Sequence, residues 1–123
     1  MQEVGRVIHP VLAAGQIEGG VAQGIGYALY EAVVWQDGRM ANGQMTNYIM
    51  PTSVDLPPIR VHFEETPYAG GPGGAKGIGE LPMDGPAPAI VNAVEHALGV
   101  AFNHVPLTPE AIMDALAAGT AGA

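Results

Sequence analysis

Between Gly70 and Leu81 the chain reads GGPGGAKGIGEL, twelve residues of which six are glycine. The stretch holds the only lysine, Lys76, and a glutamate, Glu80, set between Gly79 and Leu81-Pro82. Successive glycines expose backbone N–H groups, which can curl into a concave anion site with phosphate as the usual guest. Lys76 would add a point charge. Glu80 has little local company of its own sign. In an apolar pocket its pKa would rise, and it could serve as a general base near neutral pH. Neither common phosphate fingerprint is complete. No serine or threonine follows Lys76, and Gly77 and Gly79 lack the third glycine and preceding strand of a dinucleotide turn. On composition alone, a flexible surface loop ending in an exposed acid stays open beside the anion-binding reading.

Such a loop needs elements to hold it. Gly15 to Gln36, GQIEGGVAQGIGYALYEAVVWQ, carries Ile17, Val21, Ile25, Ala28 and Leu29 at helical spacing. A helix is predicted from about Gln16 to Val34, and residues 33–36 can already be extended. Gly19, Gly20, Gly24 and Gly26 are unusual inside a helix, each costing up to about 1 kcal/mol relative to alanine. Gly20 and Gly24 share a face one turn apart, which admits close approach by another helix or a bound ligand. Asp37-Gly38 and Asn42-Gly43 read as turns. Pro51, Pro57 and Pro58 exclude a helix there. Ile59 to Glu65 alternates as a strand, with Ile59, Val61 and Phe63 on one face and Arg60, His62 and Glu64 on the other. After the glycine loop, PAPAIVNAVEHALG predicts a helix with Ile90, Val91, Val94 and Leu98 as its stripe and Gly99 as its stop. LTPEAIMDALAAG predicts a last helix with Thr108 as N-cap, Pro109 at its first position and Glu110 in its first turn. The expected fold class is α+β: one long glycine-bearing helix, a few mostly antiparallel strands between about residues 33 and 65, and two C-terminal helices. It is expected as one unit over residues 1–123, with an ordered core at about 7–118 and a loose tail after Ala118.

Composition narrows the functions. Charged residues make up 13% of the 123, about half the roughly 25% usual in soluble domains. Such a surface is expected to be covered by other protein, through docking or self-association. The net charge of −8, without a basic run, argues against nucleic acid and anionic membrane as partners. There is no cysteine, hence no disulfide, thiolate metal site or iron–sulfur cluster on this chain. His9, His62, His96 and His104 have no ligand spacing, so no metal site is expected from them. Trp35 and Tyr48 read as core or subunit-contact aromatics, Asp55 as a turn acid, and the six methionines as gap fillers. No run of 18 apolar residues and no signal-peptide pattern occurs, and a cytoplasmic location is expected.

Four segments occur in one order: GQIEGGVAQGIGYALYE from Gly15, NYIMPTSVDLPPI from Asn47, GGAKGIGELP from Gly73 and LTPEAIMDAL from Leu107. Together they resemble the C-terminal end of the molybdenum-binding large subunit of the xanthine dehydrogenase / aldehyde oxidase / carbon monoxide dehydrogenase family. The resemblance runs from about Val7 to Ala118. It implies that the glutamate closing the KGIGE segment, Glu80, is the catalytic base. It implies that Gln16, Lys76, Gly77, Ile78 and Gly79 contact molybdenum–molybdopterin. It also implies that FAD and iron–sulfur clusters sit in partner domains or subunits. Large subunits of that family are several times longer, and most cofactor contacts and the substrate pocket lie outside this stretch. The chain is therefore expected to be a truncated or split piece, inactive alone, whose partners are the rest of the molybdenum subunit and electron-transfer subunits. The alternative is a non-enzymatic assembly or binding module that retains the fold.

Overall fold

The structure, a computed structural model, describes residues 1–120. The elements run β1 (Gln2–Glu3), α1 (Pro10–Leu29), β2 (Trp35–Gln36), β3 (Arg39–Met40), β4 (Phe63–Glu64), a 3₁₀ turn (Pro72–Gly74), α2 (Leu81–Asp84), α3 (Pro86–Leu98) and α4 (Pro109–Thr120). A mixed helix and small-sheet architecture is what the periodicities predict, with three differences.

The first helix is earlier than the predicted Gln16 to Val34. His9 is extended (φ −138°), its Nδ1 accepts the Leu12 N–H at 3.3 Å, and Pro10 supplies the first turn. At the other end, the Gly26 carbonyl takes the N–H groups of both Tyr30 and Glu31, each at 2.9 Å. Beyond it the hairpin outcompetes the helix. Asn42 accepts the Val34 N–H through Oδ1 (2.9 Å) and donates through Nδ2 to the Ala32 carbonyl (2.7 Å). These bonds hold residues 32–34 outside the helix.

The strands are not mostly antiparallel. β2 and β3 form an antiparallel pair, Trp35 opposite Met40 and Gln36 opposite Arg39. Their turn, Asp37-Gly38, has both φ angles positive (50° and 72°), the geometry whose twist suits a tight hairpin. β1 and β4 run parallel, Gln2 beside Phe63 and Glu3 beside Glu64. Of the strand predicted over residues 59–65, only two residues are laddered. The long sequence separation of β1 and β4 hides their pairing from any local pattern.

Thirdly, a short helix, α2, precedes the two predicted C-terminal ones. α3 ends where Gly99 turns left-handed (φ 69°), and Thr108 Oγ1 accepts the Ala111 N–H at the start of α4 (3.3 Å). α4 continues to Thr120, past the expected limit at Ala118; residues 121–123 lie outside the described residues.

The core is small. Val4, Ile17, Ala28, Phe102 and Leu107 are its buried apolar side chains, joined by Pro82. α1 packs against α2 and α3, and the Leu107 N–H donates to the Ala28 carbonyl at 2.7 Å, tying the C-terminal segment to the end of α1. Much apolar surface stays outside. Trp35 is 70% exposed, and Met1, Met40, Met45, Met50 and Met113 are exposed instead of filling gaps. Tyr48 is half-buried and donates to Glu31 Oε2 at 2.9 Å, which holds its hydroxyl pKa above the usual value. Asp55 closes a turn by accepting from Thr52 N and Oγ1, both at 2.7 Å, which lowers its pKa.

Candidate functional site

The glycine face of α1 receives helix α2 and the start of α3. A methyl group at Gly20 would overlap Pro82, with Cβ at 2.9 Å and Cγ nearer still. One at Gly24 would lie 2.8 Å from Pro86 Cβ and 3.0 Å from the Met83 carbonyl oxygen. Between the two openings the sequence left, another helix and a ligand, the structure takes the helix. The contact positions the candidate base: Pro82 is two residues past Glu80, which lies at the N-terminal boundary of α2 and accepts the Met83 N–H on its carbonyl (3.0 Å).

The upstream part of the glycine loop is tightly bonded, against the reading of a flexible surface loop. The Gly74 carbonyl accepts from both Arg6 N (2.8 Å) and Tyr68 N (2.9 Å). The N–H groups of Gly71, Gly74 and Ala75 close turns onto Tyr68, Gly71 and Pro72, and Lys76 N donates to the Val4 carbonyl (2.8 Å). These amides are spent within the fold, so of the nest suggested at residues 70–74 only the Gly70 and Gly73 N–H groups stay without a partner among the described residues. At Gly77, Ile78 and Gly79 the unbonded amides are consecutive. Their N–H groups have no hydrogen-bond partner among the described residues, and a Cβ built on Gly77 or Gly79 meets nothing within 4 Å.

Lys76 forms an ion pair with Glu3, and its ammonium lies 6.0 Å from the Tyr68 ring centroid. The lysine's hydrogen bond, then the Gly5 N–H donating to the other carboxylate oxygen (2.6 Å), hold the Glu3 carboxyl below the usual range. β1 thereby tethers the loop. The sequence reading missed Glu3, because the pairing joins residues 73 positions apart and leaves no local pattern.

Beside this tether a cleft of about 210 Å³ opens between the start of α1 and the loop. Gln16, Lys76 and Ile78, three of the six residues singled out in the sequence, line it together. Arg6 and His9 also line it, adding basic groups that the sequence reading did not assign. Glu80 does not line the cleft; its side chain is exposed, not held in an apolar pocket. No group of three histidines, cysteines or carboxylates that could hold a metal occurs among the described residues.

The residues present suit a large polar, phosphate-bearing cofactor. An exposed carboxamide donates and accepts at Gln16, an ammonium stands at the cleft wall, and open amides flank glycines without side chains. A family of molybdopterin cofactor-binding domains matches residues 1–57. The chain is 39% identical over 116 residues to the xanthine dehydrogenase molybdenum-binding subunit of Escherichia coli, covering 93% of this chain and 15% of that protein. It is 36% identical over 115 residues to the aldehyde oxidoreductase molybdenum-binding subunit PaoC of Escherichia coli, covering 91% and 16%. The crystal structure of quinoline 2-oxidoreductase from Pseudomonas putida 86 superposes with a TM-score of 0.85 at 39% identity, over 94% of this chain and 15% of that one. Over nearly its whole length the chain is related to the molybdenum-binding subunits of xanthine dehydrogenases and aldehyde oxidoreductases. It spans about 15% of the length of those relatives.

Proposed function

We propose that this chain is a fragment or split subunit of a molybdenum-dependent hydroxylase or dehydrogenase, corresponding to the C-terminal part of its large subunit. It contributes Glu80 as general base and one wall of the molybdopterin cradle through Gln16, Lys76, Gly77, Ile78 and Gly79. The observation that carries this reading is the cleft in which Gln16, Lys76 and Ile78 meet, beside the open amides of residues 77–79. Bound there, molybdenum–molybdopterin would supply the electron-accepting chemistry. FAD and iron–sulfur clusters would belong to partner domains or subunits, the rest of the molybdenum subunit would complete the pocket, and the assembly would work in the cytoplasm.

The chain's own part is positioning and proton transfer. Gln16 and Lys76 bind polar edges of the cofactor, and the docking of Pro82 on Gly20 fixes where Glu80 emerges. Glu80, acting as base, removes a proton in the transition state. In the assembled enzyme Glu80→Gln keeps the shape and removes the base. Turnover is expected to fall roughly 10²–10⁴-fold, about 3–5 kcal/mol of barrier. Molybdenum and pterin content should stay unchanged. Gln16→Ala is expected to lower cofactor content and rate together. Single-turnover reduction by substrate, with molybdenum and pterin assayed on the same sample, separates the two. Normal reduction by Glu80→Gln with full cofactor would remove Glu80 from the role.

A second reading draws on the exposed position of Glu80 outside the cleft: an assembly or binding module that retains the fold without catalysis. Absence of molybdenum from the purified native complex would favour it.

A further inference from the structure

The strand that alternates over residues 59–65 is wider than the ladder it finds. Phe63 and Glu64 pair with β1, and the Gln2 N–H donates to the His62 carbonyl at 2.9 Å. A parallel ladder uses alternate residues, N–H and C=O of one residue facing the same neighbour. With His62 facing β1, the backbone groups of Val61 and Phe63 face the opposite edge. No hydrogen bond of Ile59, Arg60 or Val61 to another described residue is formed. Their side chains have nevertheless sorted as a sheet requires: Ile59, Val61 and Phe63 are half-buried, while Arg60, His62 and Glu64 are exposed.

A two-residue parallel pair does not stand alone. Parallel strands occur in larger sheets, and a lone two-stranded unit is at most marginal in water. We propose that the outer edge of residues 59–63 receives a β-strand from the remaining part of a molybdenum-binding subunit. The added strand would continue the β1–β4 sheet through the backbone of Val61 and Phe63. Two observations favour this occupant over a second copy. The relatives carry this stretch inside a chain several times longer. The edge also extends a parallel pair that needs more strands and not merely a symmetric mate. The proposal rests on the reading of the chain as a piece of such a subunit.

The test mixes the full chain with the Escherichia coli xanthine dehydrogenase molybdenum-binding subunit from which the matching segment has been removed. Amide hydrogen exchange is read with and without that partner. The Val61 and Phe63 amides are expected to exchange at least about tenfold more slowly in the complex. Val61→Pro, which removes an edge-facing N–H, is expected to weaken the complex at least about tenfold, with the helical circular dichroism unchanged. If Val61→Pro disturbs the helices, the exchange rates of the natural chain decide alone. A complex whose Val61 and Phe63 amides exchange as in the free chain overturns the edge and leaves the functional reading standing. No complex at all overturns both. Protection of these amides in the chain alone, with a dimer by sedimentation, assigns the edge to a second copy and overturns the proposal.

Discussion

Two groups of glycines do opposite work in this molecule. In α1, Gly20 and Gly24 are filled from outside by Pro82 and Pro86, so their missing side chains are a packing device. In the loop, Gly77 and Gly79 face open space and unspent amides. The first pair lets two helices close to a distance no alanine allows. The second leaves backbone accessible. Glycine content therefore marks two functions, separated only by what stands opposite.

The comparison can be broken at its packed end first. Gly20→Ala and Gly24→Ala drive a methyl into a proline ring and, at Gly24, toward a carbonyl oxygen. Each is expected to cost about 1–3 kcal/mol net of the helix-propensity gain, read from urea unfolding. No loss in either would mean that α2 and α3 do not dock as described. Gly19→Ala is the control on the same helix, since its Cβ meets nothing within 4 Å. It should stabilise by about 0.5–1 kcal/mol in the same measurement. Smaller still, Gly77→Ala and Gly79→Ala should change the stability of the chain by less than about 0.5 kcal/mol. In an assembled enzyme the same substitutions should lower pterin content, which distinguishes accessible backbone from idle loop. The smallest effect concerns the tether. The Glu3 pKa is depressed in the fold, so its contribution is present above the ordinary carboxylate pKa and is lost as pH falls through the folded value. As pH falls below the ordinary carboxylate range the Glu3–Lys76 pair should open, seen as a shift of the Lys76 ammonium resonance. Glu3→Gln should abolish that titration.

The helices were legible because their signals are local. Thr108-Pro109 and Gly99 state where α4 begins and α3 stops, and Asp37-Gly38 states its hairpin. The start of α1 was missed by six residues because its cap is a histidine, which sequence rules do not rank among N-caps. β1 was invisible: two residues carry no period, and their partner is sixty residues away. At the site, motif and resemblance singled out Gln16, Lys76 and Ile78, and the cleft gathers them. Glu3 could not be found, because nothing near Lys76 in the sequence names its counter-ion. The exposed setting of Glu80 was one of the two readings the sequence left open, and it is the one the fold takes.

The pairing of the first residues with the middle of the chain also bears on the order of folding during synthesis. Gln2, Glu3, Gly5 and Arg6 are made well before their partners Phe63, Lys76, Ala75 and Gly74. α1 can coil as it leaves the ribosome, because its bonds are local. The leading segment must wait for about seventy more residues, several seconds or longer at roughly 5–20 residues per second. During that interval the future cleft lacks the wall that residues 4–8 and the glycine loop build together. The cleft is therefore among the last features of this chain to exist, and it forms only after the loop that carries Lys76 has been made.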